Sequence, residues 1–568
     1  MKSLLHHEKI FILLSLLVAL SLGAGIGIRD PSPPDEPRFV LSAKHMVESG
    51  DWLVPHRGRE FYAEKPPVFM WLQATAYTIY PNWKIAFLLP SLLAAMGVLW
   101  LTYDLARRLW GTQTAIYSAA ALWVCIQFGL QAKRGQIDMV LVFMSTLSLW
   151  GLLRHLLRGP AWGPLWLGAF AAGVGTVTKG VGFLPLLVFL PWLVTRRFTA
   201  AQHSVQPVSF WRYGVVPIAF VAGCGVWLGP LAIALIADPD PALRAYAGEL
   251  LFKQTSERYV NAWHHIKPVW YYVQVIMTLW LPGALLLPWL ASRWWQQIRA
   301  KHSDHWVLLG WCLLVLIFFS ASPGKREVYI FPMLPALCIA AAPLLPELLQ
   351  RRGVQWMLSA YVGIFSTAFF ILGLSGFFEL NPWAQSLADQ RDIPATAMRS
   401  FVLWLLAAGI VGLLLLGWGR LKDSSMTVVL FTAVLWTTYG LGLTPSLDAT
   451  SSAKALMMRV GVRIGPQAEL GMIAWREQNL LQADRPVVDF GFKQSWQSQW
   501  DQASRWVIES PQHRWLFVLE EALSPCVNQA QVIAIGQSNR RDWVLVPGSA
   551  IVAGCKTPKL ADTGEDAL

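Results

Sequence analysis

Residues 10–28 read IFILLSLLVALSLGAGIGI and run directly into residues 29–67, RDPSPPDEPRFVLSAKHMVESGDWLVPHRGREFYAEKPP. The first stretch is apolar over the length a helix needs to cross a bilayer, about 20 residues. The second is charged, Pro-rich and aromatic, and carries Asp35, Glu36, Arg38, Glu64 and Lys65. Acids and bases packed between hydrophobic spans cost free energy unless they do chemistry or bind a charged group. The junction therefore predicts a membrane protein with a reactive segment just outside its first span.

Composition extends this to the whole chain. Of 568 residues, 55% are hydrophobic and 14% charged, where a soluble protein carries about a quarter charged residues. Many of the 31 Trp sit at the ends of apolar runs, as an interfacial belt requires. Apolar runs of spanning length recur at roughly 10–28, 84–106, 114–131, 137–154, 163–178, 181–196, 212–235, 268–291, 305–321, 327–348, 354–378, 399–419 and 427–444. About thirteen spans are thus expected in a mainly helical, polytopic fold. The short basic N-terminus (Lys2, Lys9) has no small-x-small cleavage site near Gly27, so the first span reads as retained.

The net charge of +12 does not point to nucleic acid. Most basic residues lie in short loops, where they set topology, and no RNA or DNA motif is present. Arg107/Arg108, Arg154/Arg158, Arg196/Arg197, Arg293/Arg299/Lys301, Arg351/Arg352 and Arg420/Lys422 fall on the face of the N-terminus, which is then cytoplasmic. An odd number of spans puts the C-terminal region on the outer face. The outer loops should be poor in cations, yet they hold Lys65, Lys133, Arg134, Lys179, Arg258, Lys325 and Arg326. Short loops tolerate exceptions; the alternative is that these cations converge on an anionic headgroup such as a lipid phosphate.

Residues 51–81 are amphipathic but too interrupted to span, and read as one or two helices lying in the membrane interface. After Pro445 the apolar runs shrink to strand length: Pro486–Phe490, Trp515–Leu519, Val532–Ile535 and Trp543–Val546. Gly465–Leu481 and Gln494–Glu509 look helical. The expected organisation is a membrane domain over 1–445, with an outer loop over 29–83, then a small α/β domain over 446–556 and a disordered tail over 557–568. Cys125, Cys224, Cys312 and Cys338 sit in apolar runs as core fillers. Cys526 and Cys555 lie in the C-terminal region and could pair on an oxidising face or stay free.

Several residues could carry chemistry, each against a plainer reading. Asp35, with Glu36 and Arg38, could orient an acceptor, take a proton or help hold a metal, or be a solvated loop charge. Lys65, after Glu64 and before a Pro pair, suits a phosphate, or snorkels from the interface. Asp138, opening a span in KRGQIDMVLVF, is either functional or a first-turn acid favoured by the helix dipole. Lys179, in TKGVG, faces outward between two apolar runs or sits in a plain turn. Lys325, Arg326 and Tyr329, in SPGKREVYIFPMLP, could reach phosphate oxygens, although an interfacial Tyr is common. Arg258, His264 and His265 form another outward polar cluster; adjacent His residues do not share a face, which disfavours a two-His metal site.

In order and placement these motifs resemble a known family. A D-E-P-R segment follows the first span, then E-K-P, an Asp opening a later span, T-K-G, E-R-Y with a downstream H-x-x-P-x-W-Y-Y-like segment, and S-x-x-K with Tyr-Ile-x-P. Together they are similar to the bacterial aminoarabinose transferases of lipid A, within the wider C-type protein O-mannosyltransferase superfamily. The resemblance implies a GT-C fold of thirteen spans, an outward cavity and a periplasmic C-terminal domain in a multi-pass protein of the bacterial inner membrane. It implies transfer of a sugar, with inversion, from an undecaprenyl phosphate donor to lipid A or a related envelope glycan. Asp35 would be the essential carboxylate. Lys65, Arg258 and Tyr329, with Lys325, would hold the donor phosphate. Glu64 and Asp138 would shape the sugar or acceptor side, with Glu36, Arg38, Lys179 and His265 in the cavity. The resemblance fixes no cofactor; a divalent metal is one option, with Glu64 as its candidate ligand. The Ser-Pro-Pro insertion before Asp35 and Pro37 after it depart from the family pattern. The competing readings are an O-mannosyltransferase-like enzyme, a polyprenyl-lipid flippase, whose charges should instead sit near the midplane, and a regulatory membrane protein, which leaves the outward cations unexplained.

Overall fold

In the computed structural model, residues 2–199, 210–237, 240–251, 266–419, 424–552, 554–555 and 557–558 are described. Among them, nine helices are long and apolar enough to cross a membrane, and eleven if two bent pairs each count as one span. The bent pairs fall at two expected spans. Thr112–Val124 turns by 69° into Ile126–Ala132 at Cys125, and Tyr271–Leu279 turns by 108° into Gly283–Arg299 across Leu281-Pro282. Two other expected spans are helical but less regular. Residues 163–178 lie in the Gly- and Ala-rich helix Trp162–Lys179, and residues 181–196 open as a 3-10 turn, Leu184–Val188, before Phe189–Thr199. The first span ends sooner than the apolar run suggests: its helix stops at Gly23, and Gly25 and Gly27 take positive φ (90° and 86°). The apolar run thus contains a turn that only its glycines make accessible.

Close packing builds the bundle. Ile137–Arg158 lies along Trp162–Lys179, which in turn lies along Phe210–Ala237. At the second of these contacts a Cβ on Gly173 would meet the Phe220 carbonyl, and one on Gly223 the Phe170 carbonyl. In lipid, where tails are as apolar as Leu, such backbone contact is what holds helices together. Trp123, Phe128, Trp311 and Phe319 fill the main core.

The segment after the first helix folds as an ordered cap. It contains the helix Glu36–Ser49, the antiparallel hairpin β1 (His56–Arg57) and β2 (Glu60–Phe61), and the helix Val68–Ile79. Of the one or two helices expected over 51–81, the structure has Val68–Ile79; ahead of it Gly58 at φ +61° turns the chain back on itself as a hairpin.

The C-terminal region forms a five-stranded sheet. Its strands are β3 (Glu469–Ile473), β4 (Val487–Asp489), β5 (Arg514–Leu519), β6 (Ile533–Ser538) and β7 (Arg541–Pro547), in the order β4-β3-β5-β7-β6. β3 is parallel to both β4 and β5; β7 is antiparallel to β5 and to β6. The helix Trp496–Ile508, capped by Ser495, buries Trp500, Ala503 and Val507 in the sheet's core. Gly465–Leu481 is not one helix. Its ELGMI run is β3, four of whose five residues are buried, and only Glu477–Leu481 is helical. Cys526 and Cys555 are disulfide-bonded, with Cα atoms 5.6 Å apart. The expected disordered tail falls mostly outside the described residues; within it, Thr557 is buried and its hydroxyl lies 2.8 Å from that of Ser524.

Candidate active site

The reactive segment meets two other parts of the chain, the bend at residues 133–138 and the loop at residues 322–329. Asp35 sits at the N-cap of Glu36–Ser49, and its side chain does not cap that helix. It accepts instead from Gln136 Nε2 at 2.9 Å and faces the Arg326 guanidinium at 3.8 Å. Burial works against the charge on Arg326, but Asp35 and then Asp138 outweigh it, so its pKa rises above the ordinary guanidinium value. Asp138 forms an ion pair with Lys179. The Lys179 ammonium also lies 5.5 Å from the Tyr329 ring centroid. Asp35, Asp138, Lys179, Arg326 and Tyr329 are therefore neighbours through Arg326 and Lys179.

Glu36 is turned away from this group. It is buried, takes both guanidinium nitrogens of Arg29 at 2.5 and 2.7 Å, and accepts from the backbone N–H groups of Ser32 (2.9 Å) and Gly135 (2.8 Å). Burial raises its pKa, but the Arg29 charge and these hydrogen bonds carry it below the usual carboxylate range. Successive residues at the start of a helix point about 100° apart, so one acid faces the site and the other the interior. Glu36 thus ties the first loop to the residue before Gln136. Lys133 lies beneath, donating to the carbonyls of Leu22 (3.1 Å) and Ala24 (2.7 Å) at the end of the first helix. Burial, then the Arg29 charge, lowers its pKa to about 7.

A second cluster holds Arg38, Arg57, Glu64 and Glu477. Glu64 accepts from Arg57 at 2.9 Å and Arg38 at 3.3 Å, and Lys65 Nζ lies 3.2 Å from the Glu64 carbonyl. Two guanidiniums against one carboxylate do not fit a divalent metal at Glu64. Among the described residues no group of three or more His, Cys, Asp or Glu could hold one.

The expected donor-side residues divide accordingly. The structure brings Tyr329 beside Lys179, but Lys325 is buried and donates to the carbonyls of Ser322 (2.5 Å) and Lys267 (3.1 Å). Its neighbour Arg326 faces Asp35 instead. Arg258, His264 and His265 lie outside the described residues. Gln136 escaped the sequence reading, since a neutral amide in KRGQID carries no signal of its own.

The described chain is thus a polytopic helical bundle with charged pairs gathered at helix ends and a small α/β region after the last span. Comparison with known proteins narrows this. The family model of dolichyl-phosphate-mannose-protein mannosyltransferases matches residues 64–227. Undecaprenyl phosphate-alpha-4-amino-4-deoxy-L-arabinose arabinosyl transferase 1 of Pseudomonas fluorescens is 30% identical over 370 residues, which are 63% of this chain and 60% of that protein. The corresponding transferase of an Enterobacter strain is 30% identical over 54% of each chain. The chain thus spans little more than half the length of these curated relatives. The crystal structure of ArnT from Cupriavidus metallidurans bound to undecaprenyl phosphate covers 96% of this chain and 99% of its own, with a TM-score of 0.72 at 19% identity. The chain thus shares the fold of that structure, and over part of its length it is similar in sequence to the aminoarabinose transferases.

Proposed function

We propose that this protein is an inverting membrane glycosyltransferase that moves a sugar from an undecaprenyl phosphate donor to lipid A or a related envelope glycan. The observation that carries this reading is the convergence of Asp35, Gln136 and Arg326 with Asp138, Lys179 and Tyr329 at the ends of membrane helices. In the proposed reaction an acceptor oxygen attacks the anomeric carbon from the face opposite the phosphate. The bond from that carbon to the phosphate oxygen breaks, and undecaprenyl phosphate leaves with the electron pair. Arg326, Lys179 and Lys65 oppose the charge that develops on the leaving group, in a partly water-excluded site where such contacts act strongly. Asp35 serves as general base for a hydroxyl acceptor or orients a phosphate, which is already nucleophilic. Tyr329 and Arg258 complete the donor-phosphate side, and Asp138 shapes the sugar side while holding Lys179.

The bundle is read as a membrane domain over 1–445 and the sheet as part of a periplasmic domain over 446–556. Basic doublets on one face support an inner-membrane protein with an outward site, and the disulfide supports an oxidising compartment for the sheet. Charges gathered at helix ends rather than the midplane favour catalysis over lipid transport.

The test is a transfer assay on purified protein in detergent, supplied with total membrane lipids containing polyprenyl-phosphate sugars and read by mass spectrometry. The expected result is a pentose-like amino sugar on lipid A with wild-type protein and none with Asp35→Asn. A hexose on another acceptor would keep the mechanism and replace the substrates. No adduct, with tight undecaprenyl phosphate binding, would move the reading to transport.

A further inference from the structure

The C-terminal sheet region supplies one carboxylate, that of Glu477, to the Arg38–Arg57–Glu64 cluster. Glu477 opens the short helix that follows β3, far from the reactive segment in sequence. Its Oε1 accepts from Arg38 Nε at 2.8 Å and lies 3.4 Å from Arg57 Nε, and its side chain is 6% exposed. Burial pushes its pKa up, but Arg38 and then Arg57 bring it below the usual carboxylate range. Arg57, itself 4% exposed, lies over the Phe492 ring at 4.3 Å and the Tyr62 ring at 4.9 Å, so two aromatic rings hold its guanidinium. The same two guanidiniums hold Glu64, whose carbonyl meets the Lys65 ammonium. Two acids thus face two guanidiniums, and one of the acids is supplied by the C-terminal region.

We propose that Glu477 is a positioning residue for the donor side of the site, acting through Arg38 and Arg57 on the Glu64–Lys65 peptide. The inference rests on the transferase reading, in which Lys65 meets the donor phosphate. With Glu477 neutralised, Arg38 and Arg57 lose its carboxylate and shift their pull to Glu64, which moves the Lys65 backbone with it. Lys65 then no longer meets the phosphate in register, while the Asp35–Gln136–Arg326 group, which Glu477 does not touch, keeps its geometry.

The experiment compares full-length wild type, Glu477→Gln, Glu477→Asp and the exposed-surface control Glu469→Gln. Donor KM, acceptor KM and kcat are measured, together with the Kd for undecaprenyl phosphate alone. Glu477→Gln is expected to raise donor KM and the undecaprenyl phosphate Kd about tenfold, with acceptor KM and kcat within about twofold. Glu477→Asp should recover part of this, and an Arg38→Met background should abolish most of it. Unchanged donor KM and Kd would overturn the inference. So would a uniform fall in all parameters that tracks the folded fraction. If wild type binds undecaprenyl phosphate but transfers no sugar, the transferase reading fails, and the Kd ratio alone decides the role of Glu477. If wild type does not bind it, both fall.

Discussion

Replacing Asp35 by Asn should nearly abolish transfer while leaving the protein folded. Asn can keep a carbonyl oxygen where Oδ2 accepts from Gln136 at 2.9 Å and stands 3.8 Å from Arg326, but it removes the negative charge that faces that guanidinium. Two unit charges at that separation interact by ~4 kcal/mol at an effective dielectric of 20. About a fifth of the Asp35 side chain and a third of the Arg326 side chain are exposed, so screening leaves roughly 1–2 kcal/mol as the ground-state contribution. Loss of a positioned base or orienting acid costs a further ~100- to 10,000-fold in rate. The two effects separate in the measurements. Initial-rate transfer at saturating donor should fall at least about a hundredfold, and the melting temperature should move by no more than about 2 °C in a chain this long. Less than about a tenfold loss of rate would refute the assignment of Asp35. So would a melting drop large enough to explain the loss by unfolding.

Three further outcomes follow from the same geometry. Lys65→Ala should raise donor KM about tenfold or more with little effect on acceptor KM, read by steady-state kinetics with each substrate varied in turn. Lys133 has a folded pKa of about 7, below its unfolded value, so the unfolded state binds more protons between that pH and about 10. Stability should therefore rise with pH across that window, by at most about 1.4 kcal/mol per unit, and Lys133→Met should flatten the slope in thermal melts. Replacing Cys526 and Cys555 by Ser opens a bridge between residues 29 apart; an entropic loss of about 3–4 kcal/mol is expected. Limited proteolysis should then cut the sheet region first.

The acids and cations of the site stand out in the sequence because a charge beside a membrane span is costly wherever it serves no purpose. That argument singled out Asp35, Asp138 and Lys179, and the structure gathers them. It does not say which of two neighbouring charges faces the site. Lys325 and Arg326 carry the same signal; the turn at residues 322–326 sends the first back onto carbonyls and the second toward Asp35. Asp35 and Glu36 form a single acidic motif, and the start of a helix then separates them into site and interior. Gln136 and Glu477 lie beyond such reasoning, one being neutral and the other placed by a sheet whose first strand, ELGMI, is too short for its period to be read. Apolar runs located the membrane helices well, but bends at Cys125 and Pro282 interrupt no hydrophobic pattern and left no trace in it.

The pairing of Arg326 with Asp35, Lys179 with Asp138 and Arg38 with Glu64 makes this rim behave as an ion exchanger already loaded with its own counterions. A bare cationic pocket at a bilayer surface fills with whatever anionic phospholipid is most abundant. Here an arriving phosphate must compete with built-in carboxylates for every one of these cations, and charge alone gives it no advantage. On the proposed transferase reading, headgroups that add no contacts of their own gain nothing here, and selectivity among lipids passes to the shape of the group the phosphate carries.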